Sequence, residues 1–404
     1  MQFFPRAIAK TIERVAASFP ALILTGPRQV GKTTILSKSV DASYLSFDDP
    51  LLRESAIQSP SGFLEINRPP VIFDEIQYAP SLLSHIKMSL DRSNSQGRYF
   101  LTGSQQFNLM KGVTDSLAGR IAVLPMLGLS MRELRASTLL EPFVPSDAFL
   151  SVATEQQVAK VNVWPMIFRG SLPRLWVDEA LDRNIFYASY VKTYIERDVR
   201  DLAQIGDELA FLSFMRVVAA NTGQALNLEA LGREIGISAP TAKRWLSILM
   251  ATGLVYLLQP YRTNTVKSIV KTPKVYFLET GLAAYLTRWP TWETLEAGAA
   301  AGAFFETFVV SEIIKSYYNS GRELPLYYYR DAQKNEIDLI FEIGDTLYPA
   351  EIKKTTDPHY NDVGIFRKLD AITDRTRGEG VLICQANNMV QIGNNSKVLP
   401  VCYL

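Results

Sequence analysis

The 404-residue chain is poor in the residues that most often build metal and redox sites. It has two cysteines, Cys384 and Cys402, too few for a disulfide framework or a cysteine-rich zinc site, and this usage suits a reducing cytoplasm. It has two histidines, His85 and His359, far apart in sequence and without metal-ligand company. It carries almost no net charge (+1), so there is no global basicity to announce nucleic acid, and any such surface must be local. Long apolar runs are missing too. The stretch "AGAAAGAFF" stops at Glu306, short of the ~20 residues a membrane span needs, and the first residues, "MQFFPRAIAKTIERV", contain no signal-peptide core. The expectation is a soluble, cytoplasmic protein without a membrane partner.

What is present is an ordinary globular balance, 47% hydrophobic and 21% charged, at a length for two to four domains of ~100–200 residues each. "PALILTG", "PPVIFDEIQ", "GRYFLTGSQ" and "GRIAVLPM" read as short buried strands bounded by proline or glycine. Alternating with helical stretches, they predict an α/β fold with a parallel sheet. From Glu141 to Leu202 the pattern turns helical. From Asp207 to Gln259 it is helical again, with a break at "EIGISAPTAKRW", and beyond Thr272 strands return. The units expected are 1–140, 141–205, 206–285 and 286–404.

The most specific motif is Gly26-Pro27-Arg28-Gln29-Val30-Gly31-Lys32-Thr33, followed by Thr34, which fits G-x-x-x-x-G-K-[ST] between a strand and a helix. The glycines let the backbone curl so that its N–H groups point at phosphates. Lys32 reaches the β/γ-phosphates, Thr33 offers a hydroxyl to Mg²⁺, and the helix start favours the anion. In "VIFDEIQ", Asp74 emerges at a strand end to hold Mg²⁺ and Glu75 is placed to orient or deprotonate water. ATP and Mg²⁺ are therefore the expected ligands. Thr102 and Ser104 end a further strand, where they can sense the γ-phosphate or start a helix. Arg120 can complete the site of a second copy as an arginine finger, which would imply a homo-oligomer, or form a surface salt bridge.

"LNLEALGREIGISAPTAKRWLSILMATGLVYLLQPY" reads as helix, turn, helix and strand. Gly236 makes the turn, Ser238 caps the second helix, and Trp245, Leu246 and Leu249 pack inward. Thr241, Lys243, Arg244 and Ser247 would point outward, as on a recognition helix. The following "YRTNTVKSIVKTPK" adds Arg262, Lys267, Lys271 and Lys274 with no acid. DNA is the expected partner of this helix-turn-helix and its wing, and protein docking is the alternative.

Near the end, "NEIDLIFEIGDTLYPAEIKK" sets Asp338, Glu351 and Lys353 on two strands that can pair through "IGDT", and the preceding helix can present Glu306. Two carboxylates that bind Mg²⁺ with a lysine beside them are suited to phosphodiester cleavage. The order helix, three strands, helix, strand is similar to that of the restriction-endonuclease-like superfamily, whose motif is Asp…Glu-x-Lys. An amphipathic hairpin with a solvated face is the plainer reading.

Loop, Asp-Glu strand, Thr-Gly-Ser strand and Ala-Gly-Arg come in the order of the AAA+ core. With "YIERDVRDL" and the acidic hairpin, the chain resembles a prokaryotic AAA+ ATPase family with a C-terminal region of unknown function. The resemblance implies ATP binding, hydrolysis to ADP and phosphate, and a sheet order 5-1-4-3-2. A second arginine of the lid is not evident, and Arg174, Arg197 and Arg200 are candidates. Three functions follow as expectations. One is a DNA-engaging ATPase with a metal-dependent nuclease domain, another a nucleotide-controlled regulator that does not cleave. A polypeptide remodeller is the least supported, since no aromatic pore-loop motif is seen.

Overall fold

The computed structural model describes residues 3–93, 95–103, 117–155, 158–194, 208–262 and 272–404. Ser104, Arg197, Arg200, Lys267 and Lys271 lie outside the described residues.

The first sheet is built from β1 (Ala21–Thr25), β2 (Ser43–Ser46), β3 (Val71–Asp74), β4 (Tyr99–Gly103) and β5 (Ile121–Pro125), all parallel, in the order β2-β3-β4-β1-β5. This is the order 5-1-4-3-2 implied by the resemblance. The central strands read as unbroken apolar runs because both faces are covered. Leu22, Leu24, Ile72 and Phe100 point into one cluster, while Ala21, Ile23, Val71, Phe73, Tyr99 and Leu101 point into the other. That is strict period-two alternation shared between two buried sides.

Helices Asp147–Glu155, Trp164–Arg169, Pro173–Val177 and Arg183–Tyr194 follow. Next comes a bundle of helices Glu208–Ala220, Leu228–Ile235 and Ala239–Ala251 with a small antiparallel sheet of β6 (Gln224–Ala225), β7 (Val255–Leu258) and β8 (Lys274–Phe277). The turn between the last two helices works as its sequence suggests. Gly236 takes the left-handed conformation (φ 79°), and Ser238 Oγ accepts the Thr241 N–H at 3.2 Å. Trp245 packs edge-on against Phe211 and Phe214 and fixes this helix to the first.

The third unit starts with the helix Ala301–Ser320 and continues with β9 (Leu326–Arg330), β10 (Glu336–Ile343), β11 (Thr346–Ile352), β12 (Thr376–Arg377), β13 (Gly380–Cys384), β14 (Val390–Gln391) and β15 (Ser396–Pro400). The sheet order is β14-β15-β13-β11-β10-β9, with β12 beside β11. β10 and β11 form the hairpin expected through Gly344-Asp345. Among the described residues no helix is long and apolar enough to cross a membrane.

The long helix ties this unit to the first sheet. Glu312 accepts the Met131 N–H at 2.6 Å and Lys315 Nζ at 2.7 Å, and Lys315 also donates to the Leu129 carbonyl at 3.0 Å. All of this is buried, so the glutamate and lysine depend on each other. Glu312→Ala should therefore lower the urea-unfolding stability by about 3–5 kcal/mol, because it strands a buried ammonium. Glu141→Ala, which breaks the exposed pair with Arg322, should cost less than about 1 kcal/mol.

Candidate functional site

The first candidate site lies at the C-terminal edge of the first sheet, where ligands of open α/β sheets bind. The loop after β1 turns on three left-handed residues, Gly26 (φ 138°), Gln29 (φ 62°) and Gly31 (φ 93°). A Cβ on Gly26 would collide with the Met126 carbonyl, so the tight curl needs glycine there. Lys32 starts the helix Lys32–Ser39, and its buried ammonium donates to the loop's own carbonyls of Gly26 (2.9 Å) and Pro27 (2.8 Å). Thr33 Oγ1 donates to Asp74 Oδ1 at 2.7 Å, which brings the hydroxyl and carboxylate expected around magnesium into contact.

Asp74 is held from two more sides. Thr102 donates to Oδ1, and Tyr44 donates to Oδ2 at 2.9 Å. Burial, followed by this carboxylate, pushes the Tyr44 phenol up to about 12, so it remains a donor. Glu75 has a left-handed backbone (φ 56°), accepts from Gln77, and its N–H donates to Thr102. These residues fit a magnesium–nucleoside triphosphate: a curled amide loop, a lysine parked on that loop, and a hydroxyl–carboxylate pair at its end.

Two features have no counterpart in the sequence reading. Arg6 is buried against the loop, donating to the carbonyls of Val30 (2.7 Å), Leu127 (2.8 Å) and Gly128 (3.1 Å) and pairing with Glu133 at 3.0 Å. Beside it opens a cleft of about 560 Å³ lined by Phe3, Phe4, Thr34, Ile35, Pro173 and Arg174, among others. Arg174 alone of the three candidate arginines is placed by the structure, and it lies at this cleft. The lone signal in the sequence is the "FFPR" start, whose partners are distant in the chain. Arg120 Nε pairs with Asp91 Oδ1 of its own chain at 2.5 Å on the surface.

On the other side of the loop, Pro27 lies against Gly253 (φ 74°), just past the C-terminal end of the helix Ala239–Ala251. A Cβ at Gly253 would come within 2.9 Å of Pro27 Cδ. The triphosphate loop and the helix-turn-helix thus touch directly. On that second helix Lys243, Arg244 and Ser247 are exposed and Thr241 is half-buried; Arg262 beyond β7 is exposed as well.

The acidic hairpin departs from expectation. Lys274, read as part of a basic surface, is 3% exposed. Its ammonium lies among the acids, 2.5 Å from Glu336 Oε1, 3.0 Å from Glu306 Oε1 and 3.7 Å from Asp338 Oδ1. Tyr276, two residues on along the same strand face, donates to Glu306 at 2.6 Å. Lys353 pairs with Glu351 at 2.9 Å and approaches Asp338 at 3.8 Å. Asp338 Oδ2 accepts the Ile352 N–H at 2.9 Å, and Glu351 Oε1 accepts the Asp338 N–H at 3.3 Å. Burial opposes the charge on Lys274, but Glu306, Asp338 and Glu336 outweigh it and hold its pKa above the usual lysine value. Burial and then Asp338 push Glu351 well above the usual carboxylate range, against the pull of Lys353. The set Glu306, Asp338 and Glu351 expected to hold metal is therefore engaged by lysines and backbone. Among the described residues, no three His, Cys, Asp or Glu side chains are grouped to hold a metal ion. The cluster does not fit a divalent ion.

Comparison with known proteins covers all three units. Residues 18–135 match the family model described as an AAA domain. Residues 162–293 and 301–404 match two domains of unknown function, DUF8612 and DUF4143. The N-terminal segment is thus similar to an AAA-type ATPase domain. Over 371 residues the chain is 29% identical to "Uncharacterized protein Rv2008c" of Mycobacterium tuberculosis and to "Uncharacterized protein Mb2031c" of Mycobacterium bovis, covering 87% of this chain and 74% of each of them. Among solved structures, the Walker-type ATPase PABY2304 of Pyrococcus abyssi is 13% identical with a TM-score of 0.41, over 70% of this chain and 96% of that one. AMPPCP-bound DnaA of Aquifex aeolicus is 11% identical with a TM-score of 0.27, over 60% and 85%.

Arg6 holds the loop's backbone through the Val30 carbonyl and also lines the cleft. Arg6→Met should weaken Mg-ATP binding at least tenfold, about 1.4 kcal/mol, by calorimetry on folded protein. An unchanged affinity would remove Arg6 from the account.

Proposed function

We propose that the protein binds ATP with magnesium at the loop Gly26–Thr34, hydrolyses it to ADP and phosphate, and passes the state of that loop to a DNA-engaging winged helix. The observation that carries this reading is that one loop serves both sides. Thr33 hydrogen-bonds Asp74 at its end, and Pro27 of the same turn lies against Gly253.

In this reading Lys32 leaves the carbonyls of Gly26 and Pro27 for the β/γ-phosphates, and the loop amides bind the remaining oxygens. Thr33 and Asp74 would hold the magnesium, which when bound neutralises phosphate charge. Glu75, kept in place by Gln77 and by the hydrogen bond from its backbone N–H to Thr102, orients the attacking water. Ser104, next to β4, would sense the γ-phosphate. The nucleoside would lie in the cleft beside Phe4 and Arg174, whose volume suits a small ligand. Arg120 would act on a neighbouring copy only after leaving Asp91.

The helix-turn-helix with its three-stranded sheet supports a winged helix over 206–285, whose Thr241, Lys243 and Arg244 would face DNA, joined by Arg262, Lys267 and Lys271. The helix–three strands–helix–strand order over 286–404 supports a restriction-endonuclease-like fold, in which Asp338, Glu351 and Lys353 would be the cleaving set; the buried ammonium of Lys274 among these acids favours the reading of a regulator that does not cleave. Residues 141–205 would link the ATPase core to both.

Three assays test this. Lys32→Ala should abolish Mg-ATP binding. Glu75→Gln should keep binding while turnover falls by about 10²–10⁴-fold. Lys243→Ala with Arg244→Ala should weaken duplex DNA binding and reduce its log–log salt slope by about 2, close to one for each phosphate no longer neutralised. A wild-type protein that takes up no nucleotide, or a salt slope unmoved by the double substitution, would refute the corresponding half.

A further inference from the structure

The acids of the C-terminal hairpin are arranged around an ammonium that comes from a different unit of the fold. Lys274 opens β8, the last strand of the small sheet, and reaches across to Glu306 on the long helix and to Glu336 and Asp338 on β10. Tyr276 follows on the same face and binds the same Glu306 oxygen. The flanking chain is tied down beside it. The Tyr261 N–H donates to the Tyr328 carbonyl at 2.7 Å, the Tyr328 N–H to the Gln259 carbonyl at 3.1 Å, and the Tyr328 hydroxyl to the Thr272 carbonyl. Strand β9 thus grips both arms that lead away from the small sheet, and Lys274 pins one of them to the acids.

The charges leave little for a metal ion to do. Lys274 and Arg330 both pair with Glu336, and Lys353 pairs with Glu351. A magnesium ion takes oxygen ligands at about 2.1 Å and needs them free in octahedral array. To collect Glu306 and Asp338 it would have to evict the Lys274 ammonium, or share its site against like-charge repulsion in a buried place.

We propose that Lys274 is a built-in cation that closes the acidic cluster to divalent metal, and that the cluster serves as a latch fastening β8 to the C-terminal domain. The chemistry of a phosphodiester-cutting centre is then absent from this arrangement. The same acids instead fix where the helix-turn-helix unit sits. This inference does not rest on the nucleotide reading, and its test uses no ATP.

The test is Mn²⁺ binding to the nucleotide-free full chain, followed by electron paramagnetic resonance. Wild type and Asp338→Asn should bind the same amount of Mn²⁺, so that no Asp338-dependent site is seen. Lys274→Ala should gain one Mn²⁺ per chain, at least tenfold tighter than anything in wild type, and the double variant Lys274→Ala/Asp338→Asn should lose it. Wild-type Mn²⁺ binding that Asp338→Asn removes would overturn the closure, as would a folded Lys274→Ala that gains none. If Lys274→Ala does not fold, Lys274→Gln takes its place with the same expected gain, and if neither folds the wild-type comparison with Asp338→Asn decides. The latch has its own readout. Amide exchange of Lys274–Phe277 should be at least tenfold faster in Glu306→Gln than in wild type, and equal rates would overturn it.

Discussion

The conformation of one loop constrains the rest of the molecule. Gly26 can curl only because it carries no side chain to meet the Met126 carbonyl. That carbonyl belongs to the segment leaving β5, and Arg6 locks the segment to the loop through the carbonyls of Val30, Leu127 and Gly128. The opposite flank of the loop is closed by Gly253. In the proposed reading, a change in how the loop is filled would press on two neighbours at once, the N-terminal segment with its cleft and the end of the helix-turn-helix. A cavity of about 170 Å³ between Gly26, Met126, Gly253 and Tyr256 leaves room for such a shift.

The helix Ala301–Ser320 converts these local contacts into one body. At about 1.5 Å per residue it runs roughly 30 Å. Near its start Glu306 meets Lys274 and Tyr276. In its middle Glu312 and Lys315 hold Leu129 and Met131, just past the Met126 segment. At its end the Asn319 and Ser320 carbonyls accept from Thr11 and Arg14 of the N-terminal helix Ile8–Ala16. The acidic cluster and the nucleotide loop are thus buttressed by the same rod, and a continuous hydrophobic cluster runs from Ile8 to Leu404 around it.

Much of this is legible in the sequence because it is local. The loop motif, the strand ending in Asp74, the Ser238 cap, the Gly236 turn and the Gly344-Asp345 hairpin each depend on residues a few places apart, and period-two or period-3.6 spacing reports them. What spacing cannot report is the residue that arrives from elsewhere. The hairpin pattern brings Asp338 and Glu351 to Lys353, but Lys274 sits 32 positions before Glu306, and as sequence it belongs to a basic run. Read alone, its charge suggests DNA; in the fold, the surrounding acids claim it. Arg6 and Tyr44 escape sequence reasoning for the same cause. Each acts on a carbonyl or carboxylate that only tertiary packing brings within reach.

In the proposed function the helix-turn-helix would feel the state of the triphosphate loop through the Pro27–Gly253 contact. Hydrogen exchange of the wild-type chain with and without Mg-ATP tests it most directly. Saturating nucleotide should change the exchange of amides 250–258, and the change should vanish in Lys32→Ala. Identical exchange across 250–258 in protein proven by calorimetry to be saturated with nucleotide would contradict it.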